Sequence, residues 1–232
     1  MNKDLFLNIL RANHQDHILD HFYGLPSEKQ SQLVQNSLGL DLDLVFRLYK
    51  DCEKGKNALP LSGKIMPPHV IPVPMTSAEK RKHQEVRILG ESLISNGKVA
   101  VLIVAGGQGV RLGHNKPKGT FPVSPVMNKT LFQLLSEQVK ALSLRYRARI
   151  PLLIMTSNEN HHDTRAFFES SGFFGLDKED VHFFQQGMIP TITPAGKLLL
   201  KDETNLFVNP DGHGGSLRAL HTSGLLDLLA EQ

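Results

Sequence analysis

The chain has 232 residues, of which 40% are hydrophobic and 21% are charged, and its net charge is +3. These proportions are ordinary for a globular protein. So mild a charge argues against a nucleic-acid partner, because proteins that bind nucleic acid usually carry a strongly basic surface stripe. A single cysteine, Cys52, excludes an internal disulfide and suits a reducing compartment. The longest apolar run, Val99 to Ala105, is far shorter than the ~20 residues of a membrane span. With no signal-peptide pattern at the N-terminus, we expect a cytoplasmic protein with no membrane partner.

Residues 1–76 predict a helical segment followed by a linker. Apolar residues such as Leu5 and Ile9 recur at helical spacing. Prolines then crowd the stretch 57–76, which is expected to run extended. We interpret residues 1–56 as an N-terminal helical segment and residues 57–76 as a Pro-rich linker.

Residues 77–232 alternate between short apolar runs and helical patterns, which predicts an α/β domain with a mostly parallel sheet and flanking helices. A helix is expected to open at Ser77 and to end at Gly97, a residue suited to a C-terminal cap. Three apolar runs predict strands, the first of them buried on both faces: Val99–Val104, Pro151–Met155 and Val181–Phe184.

Other local signals in this domain mark turns and helix ends. Thr130 and Gln133 have the spacing of a reciprocal capping box at a helix start. Asn158 is expected to cap the helix that follows it, and Pro194–Gly196 predicts the turn of a hairpin. A single helix is expected from Gly215 to Leu229.

The histidines carry little functional signal. His14, His17 and His21 can share a helix face, but acidic residues are interleaved with them, which favours a solvated face over a metal site. The same interpretation applies to His161 and His162 near a helix start.

The strongest functional signal is the glycine-rich loop after the first predicted strand. Gly106, Gly107 and Gly109 let backbone amides approach an anion closely, because no Cβ intervenes. Arg111 and Lys118 follow, and no acidic residue lies between them. A glycine loop with converging cations at the carboxyl end of a strand is what a triphosphate site requires.

Two other phosphate-binding loops do not fit this segment. The dinucleotide fingerprint needs a glycine where Leu112 stands, and an acidic residue ~20 positions further on. The P-loop pattern matches nowhere in the loop. A plain glycine-rich turn flanked by solvated basic residues stays open as an alternative.

Four segments resemble the UDP-sugar pyrophosphorylases, and among them the eukaryotic-type UDP-N-acetylglucosamine pyrophosphorylases most closely. The glycine loop resembles their signature L-x-x-G-G-x-G-T-R-L-G followed by P-K-G, with Val110 in place of Thr. Ile154–Ser157 is similar to I-M-T-S, Phe183–Pro190 to F-F-Q-Q-G-M-L-P, and Asn209–Gly215 to A-P-D-G-N-G-G. The resemblance extends over residues 97–232.

The resemblance implies a Rossmann-like nucleotidyltransferase core that joins UTP to a sugar 1-phosphate and releases pyrophosphate. Gln186 would read uracil, because one amide offers both a donor and an acceptor, and Gly212 would let the backbone approach the base. The implied residues are Arg111 and Lys118 for catalysis, Ala105, Gly106, Gly107, Gln108, Gly109, Gln186 and Gly212 for the nucleotide, and His213 and Gly214 for the sugar.

The identity of the sugar rests on one position. The segments Phe183–Pro190 and Asn209–Gly215 favour N-acetylglucosamine 1-phosphate as the substrate. His213, however, stands where the N-acetylhexosamine branch has Asn, and the UDP-glucose and broad-specificity enzymes share a G-H-G segment there. A UDP-glucose or broad-specificity UDP-sugar pyrophosphorylase is therefore the alternative.

The resemblance also implies Mg²⁺ as a cofactor, bound through an Asp of an Asp-Asn pair that lies beyond Gln232. No metal ligand is therefore expected within this chain. We expect a truncated N-terminal portion of the enzyme, inactive alone and completed by the missing C-terminal part. A non-catalytic nucleotide-binding fragment is the alternative from another functional class.

Overall fold

A computed structural model describes residues 3–53, 66–68 and 70–230. The chain folds into two units, one formed by residues 1–68 and 188–211 and the other by residues 69–187 and 212–232. Residues 57–65 and 69 of the expected linker lie outside the described residues, whereas 66–68 and 70–75 form neither helix nor strand. No helix in the described ranges is long and apolar enough to cross a membrane.

The helices and strands follow one another through both units. In chain order they are α1 (Lys3–Ala12), α2 (Asp16–Gly24), α3 (Ser27–Asn36), α4 (Leu42–Glu53), α5 (Ser77–Ser95), β1 (Val101–Val104), α6 (Leu131–Tyr146), β2 (Leu152–Thr156), α7 (His161–Ser170), β3 (Val181–Gln185), β4 (Met188–Pro190), β5 (Leu200–Asp202), β6 (Asn205–Leu206), β7 (Val208–Pro210), α8 (Ser216–Thr222) and α9 (Leu225–Ala230).

The first unit combines helices α1–α4 with the short strands β4–β7. The predicted helices are confirmed over residues 3–53, and the predicted hairpin turn is confirmed by an antiparallel bridge between Ile192 and Leu198, with Gly196 at φ +72°. Leu198 and Leu206 are buried in one apolar cluster with side chains of the helices. The sequence-based division placed these strands with the main domain, whereas their apolar side chains complete the core of the helical unit.

His14 and His17 are exposed, as expected for a solvated face, and His21 is half-buried; two of the three rings also bind the backbone of the first unit. The ring Nε2 of His17 lies 2.9 Å from the carbonyl oxygen of Leu198, and that of His21 lies 2.8 Å from the carbonyl oxygen of Glu203. Both rings bind the backbone of the strand segment, because helix α2 packs beside it.

The second unit contains the predicted parallel sheet, in the order β1-β2-β3. The α/β fold class is thereby confirmed. Every residue of the central strand β2 is buried, as expected for a parallel strand covered on both faces. The same expectation for β1 is wrong, since β1 pairs on one side only and Val104 is 41% exposed.

Two helices of the second unit begin at threonine caps. The hydroxyl of Thr76 accepts from the backbone N–H of Glu79, and the Glu79 carboxylate accepts from the N–H of Thr76, which holds the pKa of that carboxyl below its ordinary value. Gly97, at φ +67°, follows the end of α5 as predicted. At α6 the hydroxyl of Thr130 accepts from the N–H of Gln133, as predicted. The reciprocal bond from the Gln133 side chain back to Thr130 was also predicted, and this part is wrong, because that side chain donates to Glu137 one turn further on.

Two helix boundaries also differ from expectation. Helix α7 begins at His161 with Asn160 at its N-cap, so the prediction that Asn158 caps it is wrong. The helix expected over 215–229 is divided into α8 and α9, because Gly224 adopts φ +76° between them.

Replacing Phe168 by alanine tests the core of the second unit. The ring is fully buried and packs against the rings of Phe132, Phe174 and Phe183. Phe168→Ala is expected to lower the free energy of unfolding by about 3–5 kcal/mol, measured by urea denaturation. Leu144→Ala, at a position 71% exposed, serves as the control and should change it by less than about 0.5 kcal/mol. Equal effects of the two substitutions would contradict this placement of the core.

Candidate functional site

The candidate site lies in the second unit, at the edge where β1, β2 and β3 end. Parallel strands carry their carboxyl ends to one edge of a sheet, where loops can converge on a ligand. The strand pairing continues one residue beyond the strands, since the N–H of Ala105 donates to the carbonyl oxygen of Met155 at 2.7 Å and the N–H of Gln186 donates to that of Thr156 at 2.8 Å. The glycine loop and Gln186 therefore leave the sheet side by side, flanking the end of β2.

The glycine loop folds back on itself and returns Lys118 to its start. The N–H of Gly109 donates to the backbone carbonyl oxygen of Lys116 at 3.0 Å, and the N–H of Lys118 donates to the carbonyl oxygen of Gly107 at 3.1 Å. A 3₁₀ turn over Val110–Leu112 joins the two arms. A Cβ built on Gly107 would lie 3.7 Å from the Lys118 Nζ, so the ammonium group lies close above the loop backbone.

Three successive amides of the loop are available to a ligand. Within the described part of the chain, the N–H groups of Gly106, Gly107 and Gln108 have no hydrogen-bond acceptor. Unpaired backbone N–H groups are donors that can bind the oxygens of an anion. Together with the exposed Lys118 ammonium, they give this corner of the sheet the chemistry of a phosphate site.

The Gln186 side chain lies against Gly106. It is only 8% exposed, and a Cβ on Gly106 would come within 2.7 Å of its Oε1 and within 2.9 Å of its Nε2. Any residue other than glycine at position 106 would therefore push the amide aside. A two-way hydrogen-bonding group therefore lies directly beside the unpaired amides of the glycine loop.

The other predicted site residues lie on exposed turns of the same unit. Arg111 is on the 3₁₀ turn of the loop, and Gly212, His213 and Gly214 precede α8. Across the described ranges, none of these side chains forms a hydrogen bond or ion pair with the rest of the predicted site. Gly212 has φ +72° and ψ −164°, a conformation essentially restricted to glycine.

Sequence reasoning missed Asn160 and misjudged His161. Asn160 is fully buried and its amide binds the glycine loop. The Nδ1 of His161 lies 2.7 Å from the hydroxyl of Thr156, which donates to the carbonyl oxygen of Phe184. Burial, with the neighbouring Arg165 and His162, lowers the pKa of His161 below its ordinary value. The solvated face expected for His161 is therefore wrong.

Divalent metals in nucleotide sites are bound chiefly by carboxylates and phosphates. No group of three or more His, Cys, Asp or Glu side chains suited to a metal ion is found among the described residues. The magnesium ligand that is expected outside this chain stays a prediction.

Comparison with known proteins places this geometry in a family. Residues 56–232 match the family model described as UTP–glucose-1-phosphate uridylyltransferase. The chain is 38% identical over 222 residues to the UDP-N-acetylglucosamine pyrophosphorylase of Saccharomyces cerevisiae, a match that covers 91% of this chain and 46% of that protein. It is 32% identical over 235 residues to UDP-N-acetylglucosamine diphosphorylase 2 of Arabidopsis thaliana, covering 94% and 45%.

A solved structure extends the match to three dimensions. The uridine diphosphate N-acetylglucosamine pyrophosphorylase of Trypanosoma brucei aligns with a TM-score of 0.70 and 28% identity, over 95% of this chain and 45% of that one. The chain thus spans about half the length of the curated relatives that it matches.

The turn that carries Lys118 can be disturbed by one methyl group. A Cβ on Gly119 would overlap the buried ring of Phe132 at the start of α6. Gly119→Ala is expected to lower the free energy of unfolding by about 1–3 kcal/mol, because the turn or the ring must move. Gly90→Ala, in the middle of α5 with open space around it, is the control and should be neutral or stabilising. Urea denaturation of both variants measures the difference, and a neutral Gly119→Ala would contradict the close packing.

Proposed function

Because the chain belongs to the UTP–glucose-1-phosphate uridylyltransferase family, we propose that it binds UTP and forms the nucleotide half of an enzyme that joins UTP to a sugar 1-phosphate. The observation that carries this proposal is the contact of the Gln186 amide with Gly106, one residue from the backbone over which Lys118 lies. The proposed base-reading group after β3 and the proposed phosphate-binding group after β1 thus lie side by side.

Each part of the proposed site matches one part of UTP. The Gln186 amide pairs with uracil, since it can accept from N3–H and donate to a carbonyl oxygen. The unpaired amides from Gly106 to Gln108 bind phosphate oxygens, and Lys118 neutralises the α-phosphate. Arg111 holds the departing pyrophosphate, while Gly212 lets the backbone approach the base.

The proposed reaction is a direct nucleotidyl transfer. An oxygen of the sugar phosphate attacks the α-phosphorus of UTP, and the bond from that phosphorus to the bridging oxygen of pyrophosphate breaks. No covalent enzyme intermediate is required, so catalysis depends on positioning and on charge neutralisation. The Lys118 ammonium stabilises the charge that develops on the α-phosphate oxygens.

The base preference is tested by calorimetric titration of the chain with UTP, ATP and GTP. UTP is expected to bind most tightly, because Gln186 and Gly212 together are proposed to fit uracil; an amide can also pair with a purine edge, so the larger purine ring has to be rejected by the fit of the base. In Gly106→Ala the added Cβ displaces that amide, so the preference for UTP over ATP should fall by about tenfold, the usual cost of one lost hydrogen bond. Gly90→Ala should leave it unchanged. ATP binding as tight as UTP in the unmodified chain would contradict the proposal.

The proposed sugar is N-acetylglucosamine 1-phosphate, as in the names of the relatives compared above. Glucose 1-phosphate is the second candidate because His213, on the exposed turn before α8, replaces the Asn of the N-acetylhexosamine branch. An Asn amide can hydrogen-bond to both the N–H and the carbonyl oxygen of an acetamido group, whereas the donor and the acceptor of an imidazole ring lie further apart.

Substitution at position 213 tests whether the His213 ring contributes to the choice between these two sugars. In an active enzyme that contains residues 1–232, His213→Asn should raise the ratio of kcat/KM for N-acetylglucosamine 1-phosphate over that for glucose 1-phosphate by about tenfold, equivalent to one hydrogen bond. His162→Asn, at an exposed position of α7, is the matched control. An unchanged ratio in His213→Asn would show that this ring does not read the sugar.

A further inference from the structure

Asn160 is a buried polar side chain that links the segments following β1 and β2. Its Nδ2 donates to the carbonyl oxygen of Ala105 at 2.9 Å and, more weakly, to that of Gly107 at 3.4 Å. Its Oδ1 accepts from the N–H of Ser157 at 2.9 Å. Both functions of the amide are therefore used, and the donating half acts only on the glycine loop.

The position of Asn160 makes this contact unusual. The residue at the N-cap of a helix normally turns its side chain toward the orphan N–H groups of the first helical turn. Asn160 is at the N-cap of α7 but forms no such bond. Ser157 supplies a cap one turn earlier: its hydroxyl accepts from the N–H of Asn160, while the Asn160 Oδ1 accepts from the N–H of Ser157. The donating half of the Asn160 amide is thereby left to reach a loop 55 residues away in the chain.

The bonds to Asn160 fix the direction of two loop amides. In a trans peptide group the carbonyl and the following N–H point in opposite directions, and no cis peptide is found among the described residues. Since the carbonyl of Ala105 faces Asn160, the N–H of Gly106 faces away from it. The carbonyl of Gly107 also accepts from the N–H of Lys118, so the N–H of Gln108 points away from both donors.

These are two of the loop amides left without an acceptor. A glycine-rich backbone loses much conformational entropy when it is ordered, and the cost of ordering weakens ligand binding unless the protein has ordered it beforehand. We infer that Asn160 is a positioning residue that orders the glycine loop and aims the N–H groups of Gly106 and Gln108 at the nucleotide phosphates. The phosphate part of this inference rests on the proposed function, whereas the ordering of the loop does not.

The test compares Asn160→Asp with Asn158→Asp. An aspartate at 160 still accepts from Ser157 and suits a helix N-terminus, but its carboxylate cannot donate to the loop carbonyls. Asn158 is exposed and lies in the same segment, so its replacement adds the same charge without touching the loop. Asn160→Ser supplies a neutral second variant that retains a helix-capping group.

The first measurement is made without nucleotide. Backbone ¹⁵N relaxation should give order parameters of about 0.85 for Gly106, Gly107 and Gln108 in the unmodified chain, falling below about 0.6 in both Asn160 variants and not in Asn158→Asp. The amides of β2 should stay rigid in every variant. Unchanged loop order in both Asn160 variants would overturn the inference, as would a loss of order that spreads equally through β2.

The second measurement titrates UTP and uridine by NMR. Both Asn160 variants should weaken UTP binding by roughly 10- to 100-fold more than Asn158→Asp does, the range seen when a supporting contact is removed, and should leave uridine binding within a factor of about three. Equal losses for UTP and uridine would contradict the aiming of amides at phosphate. If the unmodified chain bound no UTP, the proposed function would fail, while the order parameters would still decide the role of Asn160 in the loop.

Discussion

Parallel pairing through the central strand β2 is the constraint on which the proposed site depends. Every residue of β2 is buried, and the strand pairs with β1 on one side and with β3 on the other, so the ends of β1 and β3 are fixed relative to its own end. The bonds from Ala105 to Met155 and from Gln186 to Thr156 extend this register into the two functional loops. A one-residue slip of either strand would turn its side chains to the opposite face and separate Gln186 from Gly106.

Close approach explains the glycines around the loop better than backbone conformation does. Gly106 and Gly109 do not have positive φ angles, yet each leaves space that a Cβ would occupy. The space at Gly106 is taken by the Gln186 amide, and at Gly109 a Cβ would lie 2.7 Å from the carbonyl oxygen of His114. The glycines thus let the loop be compact enough for the Gln186 side chain, a cation and free amides to lie together.

Local patterns in the sequence were enough to predict much of this arrangement. The β-branched run before Gly106, the apolar run before Thr156 and the run before Gln185 gave strands close to those found, because buried parallel strands are continuously apolar. The boundary residues Ser77 and Gly97 likewise predicted α5, but they could not show that Leu89 of this helix is exposed within the described unit, because boundary signals do not say what covers a helix face.

Contacts between distant residues were not predictable in the same way. Asn160 follows a strand end in a polar stretch, and nothing in its neighbours distinguishes a helix cap from a bond to a loop 55 residues away. The burial of Leu198 and Leu206 beside the N-terminal helices was missed for the same reason. The roles of Arg111 and His213 came from resemblance, and their exposed turns leave those roles as proposals.

The measurement that tests the central claim most directly is a crystal structure of this chain with UTP. The account predicts uracil within hydrogen-bond distance of the Gln186 amide and phosphate oxygens bonded to the N–H groups of Gly106, Gly107 and Gln108, with the Lys118 Nζ against the α-phosphate. UTP bound with its phosphates away from these amides, or with its base away from Gln186, would contradict it.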